Sequence, residues 1–199
     1  MYIRLFTLFV FTFSLQTMAQ DYPFSSIPPA PKNFSASNSI CRMIQGLGFR
    51  YHWATEGLRA EDLEYRPSDE AQSTLGTIQH IYSLSITILN AAKNKVSEGP
   101  RPIPPDRLDE LRTATLDYLQ ESAELFLNFN EDELYELNII FERGGKQSKF
   151  PIWNLINGPI SDALYHTGQV VSFRRTSGNP ISKGVNVFFI TGNHDDPAR

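Results

Sequence analysis

The sequence has a single cysteine and no long run of basic residues, and these absences exclude several classes of protein. Cys41 is alone among 199 residues, so an internal disulfide is excluded and stability must come from a packed core. The 18 Lys and Arg residues against 22 Asp and Glu residues give a net charge of −4. The longest basic run is the pair Arg174–Arg175, and we therefore expect no nucleic-acid partner. The hydrophobic fraction of 41% is that of an ordinary globular domain.

Several catalytic motifs are also missing. The segment Gly46-Leu47-Gly48 is followed by Tyr51 where a dinucleotide-binding motif needs a third glycine, and it is better interpreted as two small residues that allow close helix packing. The sequence contains no Walker loop, HExxH, CxxC or GxSxG motif. Cys41 lies at the start of a helical pattern, and a buried inert thiol is favoured over a nucleophile. What remains is metal binding or acid–base chemistry by His and carboxylates.

The first 19 residues have the pattern of a secretory signal peptide. Arg4 precedes an apolar run over residues 5–15, and Thr17 and Ala19 supply small side chains before a cleavage site. The run is too short to span a bilayer, which needs about 20 apolar residues. We therefore expect cleavage after Ala19 and a secreted or periplasmic protein with no stable membrane anchor; an uncleaved anchor or a core helix is the alternative.

The rest of the chain predicts an all-α fold, an antiparallel four-helix bundle, over residues 37–199. Residues 20–36 form a Pro-rich extended leader. Apolar spacings of three and four residues predict helices at 38–58, 70–95, 105–128 and 152–175, and a small β-hairpin insertion is expected at 137–151, before the last helix. Residues 185–191 predict a short strand or an apolar plug. The expected core residues are Ile44, Leu47, Ile78, Leu89, Leu116, Ile156 and Val170.

Helical-wheel geometry at 100° per residue gives the position of each helical histidine relative to the apolar face of its helix. His166 points into the apolar arc of the fourth helix, and Asp162 lies one turn earlier at its edge, so the two side chains can face the core together. A divalent cation would compensate the cost of burying this carboxylate, and so would a simple hydrogen bond between the two. On spacing alone a hydrogen-bonded pair of Asp162 and His166 is favoured over a metal site. His80 is a boundary residue, at the edge of the apolar face of the second helix.

The remaining histidines are interpreted as solvent-exposed. His52 and Glu56 share a face of the first helix opposite its apolar stripe, which favours a solvated ion pair. His194 lies in the polar tail and is expected in a loop.

Residues 50–180 resemble the DinB-like (DNA-damage-inducible) superfamily of metal-binding four-helix bundles. Two segments carry the resemblance: residues 51–84, which include His80, and residues 153–180, where His166 precedes Thr167-Gly168-Gln169. The family pattern is one His in the second helix and a His-x3-His pair before Gly-Gln in the fourth, and here Asp162 stands at the first position of that pair.

The resemblance implies a divalent metal site of His80, Asp162 and His166. Two imidazoles and a carboxylate suit Zn, Ni or Fe and leave positions for water or substrate. The donor atoms must then converge to within about 4–5 Å, since each reaches a common ion at about 2.0–2.2 Å. Glu56 and Tyr165 are weak candidates for a general acid/base or for residues that support the ligands.

The expected function is that of a metal-dependent hydrolase or transferase acting on an unidentified small molecule through metal-activated water or thiol. Because an exported protein meets little reduced thiol, activated water is at least as plausible as a thiol. The alternative is a non-catalytic helical bundle that binds a ligand or a partner without a metal. A homodimer is compatible with such a bundle.

Overall fold

The computed structural model describes residues 22–98 and 106–192. The predicted signal peptide, the start of the leader, the Pro104-Pro105 start of the third predicted helix and His194 lie outside the described residues. The described chain is mostly helical and contains one small sheet. In chain order its elements are α1 (Ala36–Thr55), α2 (Ala60–Glu64), α3 (Thr74–Ala92), β1 (Val96–Glu98), α4 (Leu108–Leu127), α5 (Glu131–Glu136), β2 (Asn138–Arg143), β3 (Lys146–Pro151), α6 (Trp153–Leu155), a π-helical turn (Ile156–Ile160) and α7 (Ser161–Thr176).

The four long helices contact one another in a closed cycle, in which α1 packs on α4, α4 on α3, α3 on α7, and α7 on α1. Of the predicted core residues, Ile156 alone is half-buried, and the others are buried: Ile44, Leu47, Ile78, Leu89, Leu116 and Val170. Cys41 is buried and free, and burial raises the pKa of its thiol. The apolar spacing therefore identified the faces that make the core.

Serine side chains define the first turns of α1 and α3. Ser35 accepts a hydrogen bond from the amide of Asn38, and Ser73 accepts one from Gly76. The second predicted helix therefore begins at Thr74, not at residue 70, and it ends at Ala92, not at residue 95. The predicted start was wrong because Ser73 caps the helix, whereas the acidic residues Asp69 and Glu70 lie in a turn before it.

The last predicted helix is interrupted. Gly158 has φ −97° and ψ −108°, outside the helical region, and Pro159 follows it without an N–H to donate. The Ser161 hydroxyl donates to the Ile156 carbonyl at 2.6 Å across this kink. The continuous 16-residue helix α7 starts only at Ser161, so the kink sets the direction in which Asp162 and His166 are presented.

The sheet has three strands in the order β1-β2-β3 and is larger than the predicted hairpin. The strands β2 and β3 pair antiparallel, with Asn138 opposite Pro151, and their turn uses Gly144 and Gly145, both with positive φ. The additional strand β1 pairs parallel to β2, with Val96 opposite Ile140.

The leader and the C-terminal segment both differ from a free extended chain. Phe24 of the leader is buried, and the Trp53 indole donates to the Ser25 carbonyl at 3.1 Å. Residues 185–191 form a turn closed by a bridge between Asn186 and Thr191. Within the described ranges, no helix has the length and apolar character needed to cross a bilayer.

Candidate metal centre

Two helices bring three potential ligands to one place. Asp162 and His166 lie one turn apart on α7, and His80 lies on α3, which packs against α7. Each of the three residues offers one ligand atom, and these atoms lie within 4.8 Å of one another. The three residues, called the triad below, thus meet the distance that the sequence analysis required.

The contacts within the triad are centred on the carboxylate. His80 Nε2 lies 3.2 Å from Asp162 Oδ2, and His166 Nε2 lies 3.3 Å from Asp162 Oδ1. The two imidazole rings meet edge to face, with centroids 4.5 Å apart. Ligands at about 2.0–2.2 Å around a tetrahedral ion are about 3.3–3.6 Å apart. The two His–Asp contacts have nearly this spacing, whereas the full spread of 4.8 Å is wider, so the side chains would close up to hold an ion. The donor types suit a divalent cation.

Gln169 orients the His166 ring. Its Oε1 lies 2.7 Å from His166 Nδ1, so an N–H at Nδ1 donates to the amide oxygen and leaves Nε2 with a free lone pair. In that tautomer two unprotonated atoms, Nε2 and the Asp162 carboxylate, face each other, and a cation between them removes the repulsion. If the Gln169 amide were turned over, Nδ1 would accept and Nε2 would donate to Asp162 without any metal.

The triad is half-open to solvent. The side chains of His80, Asp162 and His166 are 31%, 45% and 19% exposed, respectively. His80 is therefore the boundary residue that the wheel predicted. A cation held here would keep positions for water or another ligand, as open catalytic sites do.

A groove of about 480 Å³ adjoins the triad at Asp162. Its walls come from Leu84 and Thr87 of α3, Phe141 of β2, and residues 157–159 at the kink in front of α7. The kink that interrupts the last helix thus also forms part of the groove, called the kink groove below.

The two other candidate residues lie at different distances from the triad. The Tyr165 ring is 64% exposed, and its centroid is 5.3 Å from that of His166. Glu56 lies at the end of α1, where its carboxylate accepts from Arg112 and its carbonyl accepts from Arg174. Arg174 is eight residues beyond His166, about 12 Å along the helix. Glu56, which binds Arg174, therefore lies near the other end of α7 from the triad.

His52 is not the solvated partner of Glu56 that the sequence predicted. It is buried, and its Nδ1 lies 3.1 Å from the Pro23 carbonyl oxygen. Tyr22 contacts the imidazole edge-on. The Cζ atom of Arg112 lies over the Tyr22 ring, 4.3 Å from the centre of that ring. The wheel assigned this face of α1 to solvent, but the leader covers it.

A buried charged network near the ends of α1 and α7 was missed from the sequence. Asp62 is 1% exposed and accepts hydrogen bonds from Arg59, Ser177 and Asn179. The Arg59 hydrogen bonds hold the pKa of Asp62 far below its ordinary value, against the opposing effect of burial. The Arg59-x-x-Asp62 spacing was the available sequence signal, but Ser177 and Asn179 are more than 110 residues away.

Arg174 belongs to the same region and is buried as well. Its Nη1 donates to the carbonyls of Ala54 and Glu56 at 3.1 and 2.6 Å, and its Nε donates to the Asn179 carbonyl at 2.8 Å. Burial lowers the pKa of its guanidinium. These contacts fix the C-terminal end of α7 against the end of α1.

Comparison with known proteins gives a fold and no closer relationship. No protein-family model matches the chain, and no curated protein matches it. Among solved structures, the crystal structure of a DinB-like protein, YjoA from Bacillus subtilis, matches with a TM-score of 0.53 and 15% sequence identity. The match covers 70% of this chain and 92% of that one. The DinB-like resemblance inferred from the sequence is therefore confirmed at the level of the fold.

Proposed function

We propose that this chain is an exported metal-dependent hydrolase or transferase built on an antiparallel four-helix bundle of the DinB-like type. The observation that carries the proposal is the convergence of His80, Asp162 and His166 ligand atoms within 4.8 Å of one another. Zn, Ni and Fe are the metals that suit two imidazoles and one carboxylate.

Each residue of the site has a defined part in the proposal. His80, Asp162 and His166 hold the cation, and Gln169 fixes the His166 tautomer through its 2.7 Å contact with Nδ1. A divalent cation in such a site lowers the pKa of a water or thiol that it binds, which supplies a nucleophile near neutral pH. Tyr165 is the proposed group that exchanges a proton with solvent or with a leaving group, and its 64% exposure and its ring contact with His166 support that role.

The kink groove is the proposed substrate site. Leu84 and Phe141 offer apolar surface, whereas Thr87 and Asn157 offer hydrogen-bonding groups beside Asp162. This lining suits a small, partly apolar molecule with a polar reacting group. Because the protein is proposed to be exported, water is at least as plausible a nucleophile as a thiol.

A second candidate function rests on the contacts of the triad without a metal. Asp162 lies 3.2 and 3.3 Å from the two His Nε2 atoms, and those contacts can be satisfied by protons alone. The protein would then be a non-catalytic helical bundle that binds a ligand or a partner without a metal. Metal content separates the two candidates.

The catalytic part is tested with chelator-stripped protein reloaded with Zn, Ni or Fe. The reloaded protein is assayed against activated esters and amides, and against an electrophile supplied with a low-molecular-weight thiol. We expect turnover in one of these two arms that is lost on stripping and in Asp162→Asn, with Asp69→Asn as the matched control on an exposed turn. Tight metal binding without turnover in either arm would reject the enzyme assignment for these reaction classes.

Export is tested separately. N-terminal sequencing of the protein from the exported fraction should begin at Gln20 or within a few residues. Recovery of the chain from the cytosol with Met1 intact would reject it.

A further inference from the structure

A second cavity lies on the side of α7 that faces away from the triad. It has a volume of about 710 Å³ and lies between α1, α7 and the C-terminal segment 181–190. Leu164, Thr167, Gly168 and Val171 of α7 line it, and they lie on the face of the helix opposite to the triad residues Asp162 and His166. A ligand here would therefore not contact the proposed metal.

Three arginine residues line this cavity, which we call the arginine cleft. Arg42 and Arg50 come from α1 and Arg175 comes from α7. Arg42 donates to the Pro28 carbonyl at 2.7 Å, and Arg50 donates to the Gly46 carbonyl at 3.0 Å. Over residues 22–98 and 106–192, none of the three forms an ion pair with a carboxylate.

Among the residues that the structure describes, these three arginines have no carboxylate partner, although the net charge of the chain is −4. Guanidinium groups favour carboxylates, phosphates and sulfates because their planar N–H groups match the oxygen geometry. The charge at the cleft is therefore complementary to an anion.

The walls between the arginines are apolar. Met43 and Leu164 contribute from the two helices, and Val187 and Ile190 contribute from the C-terminal segment. A small inorganic anion would leave these walls in water, whereas an apolar body would cover them. We propose that the arginine cleft binds an amphiphilic anion, a carboxylate with an alkyl or aromatic body, independently of the metal site.

Gly168 gives a direct way to test the cleft. A Cβ atom built on Gly168 meets nothing within 4 Å, so a larger side chain there projects into open space. Gly168→Leu would occupy part of the cleft and, because glycine is a poor helix former, would not weaken α7. Loss of ligand binding in this variant cannot then be attributed to unfolding.

The experiment uses decanoate as the probe and decyltrimethylammonium as the control of similar chain length and opposite charge. Isothermal titration calorimetry is run below micelle-forming concentrations with the full protein. We expect decanoate to bind at least about tenfold more tightly than the cation, and Arg175→Gln to weaken decanoate roughly three- to tenfold. Arg143→Gln, which removes an exposed guanidinium from the hairpin, should leave decanoate affinity unchanged.

Gly168→Leu should weaken decanoate binding while its thermal unfolding and its metal content stay at the wild-type level. Equal affinity for the two probes would overturn the proposal, because the arginines would then have no role. A decanoate affinity that is unchanged in Gly168→Leu, or that falls equally in Arg175→Gln and Arg143→Gln, would also overturn it, since the ligand would then lie elsewhere or respond to net charge alone.

Discussion

Arg174 and Arg175 are neighbours in the sequence, and the structure predicts that replacing the first lowers the free energy of unfolding strongly and replacing the second hardly changes it. Arg174 is 4% exposed and its guanidinium donates to carbonyls at the end of α1 and to Asn179, whereas Arg175 is exposed. In Arg174→Met the carbonyl groups of Ala54 and Glu56 lose a charged donor in a buried position. Hydrogen bonds to charged groups contribute about 1.5–3 kcal/mol each, and desolvation of the guanidinium offsets part of that.

The net loss in the free energy of unfolding should be about 3–5 kcal/mol for Arg174→Met, because three carbonyl acceptors lose their donor at about 1–3 kcal/mol each and removal of the buried charge offsets part of that. Arg175→Met is the matched control and should cost less than about 0.5 kcal/mol. Urea unfolding followed by circular dichroism measures both. With an m value near about 2 kcal/mol/M, the Arg174 variant should unfold roughly 2 M earlier than the wild type. Equal urea midpoints for the two variants would refute the claim that the Arg174 hydrogen bonds hold the end of α7 against α1.

Two further predictions concern the other buried charge and the triad. The folded-state pKa of Asp62 is lowered, so its contribution to stability is complete above about pH 4, the ordinary carboxyl range, and is lost as the pH falls further. The stability difference between wild type and Asp62→Asn, measured by urea unfolding, should therefore shrink between pH 6 and pH 3; a constant difference would contradict this reasoning. Gln169→Leu should weaken metal affinity about 10–100-fold in a competition assay with a chelating dye, because His166 loses the partner that sets its tautomer. Unchanged affinity would show that Gln169 does not orient the ligand.

The sequence predicted local features of the site better than remote ones. Asp162 and His166 are four residues apart on one helix, so wheel geometry places them together. His80 is 82 residues from Asp162, and spacing alone put it at a boundary. Its assignment to the triad came from the family resemblance, and the structure brings it to the other two.

Two of the errors, at His52 and at β1, have a common physical cause, which is packing against segments distant in the sequence. His52 was assigned to solvent because its own helix gives no sign that residues 22–35 cover that face. The strand β1 is three residues long and pairs with a strand more than 40 residues away, so no local pattern marks it. The interruption of the last helix has a local cause, because Gly158-Pro159 indicates a break in a helix. The prediction of one continuous helix followed the apolar spacing instead.

The metal content of the folded protein tests the central claim most directly. The wild type is stripped with a chelator, dialysed against Zn, Ni or Fe, and analysed for bound metal. The account predicts about one equivalent in the wild type and less than about a tenth in His166→Ala, with circular dichroism showing that the variant stays folded. The wild-type affinity should also fall on acidification, because imidazole binds a metal only when neutral. Less than roughly a tenth of an equivalent of all three metals in the reloaded wild type would contradict the account and favour the non-catalytic bundle.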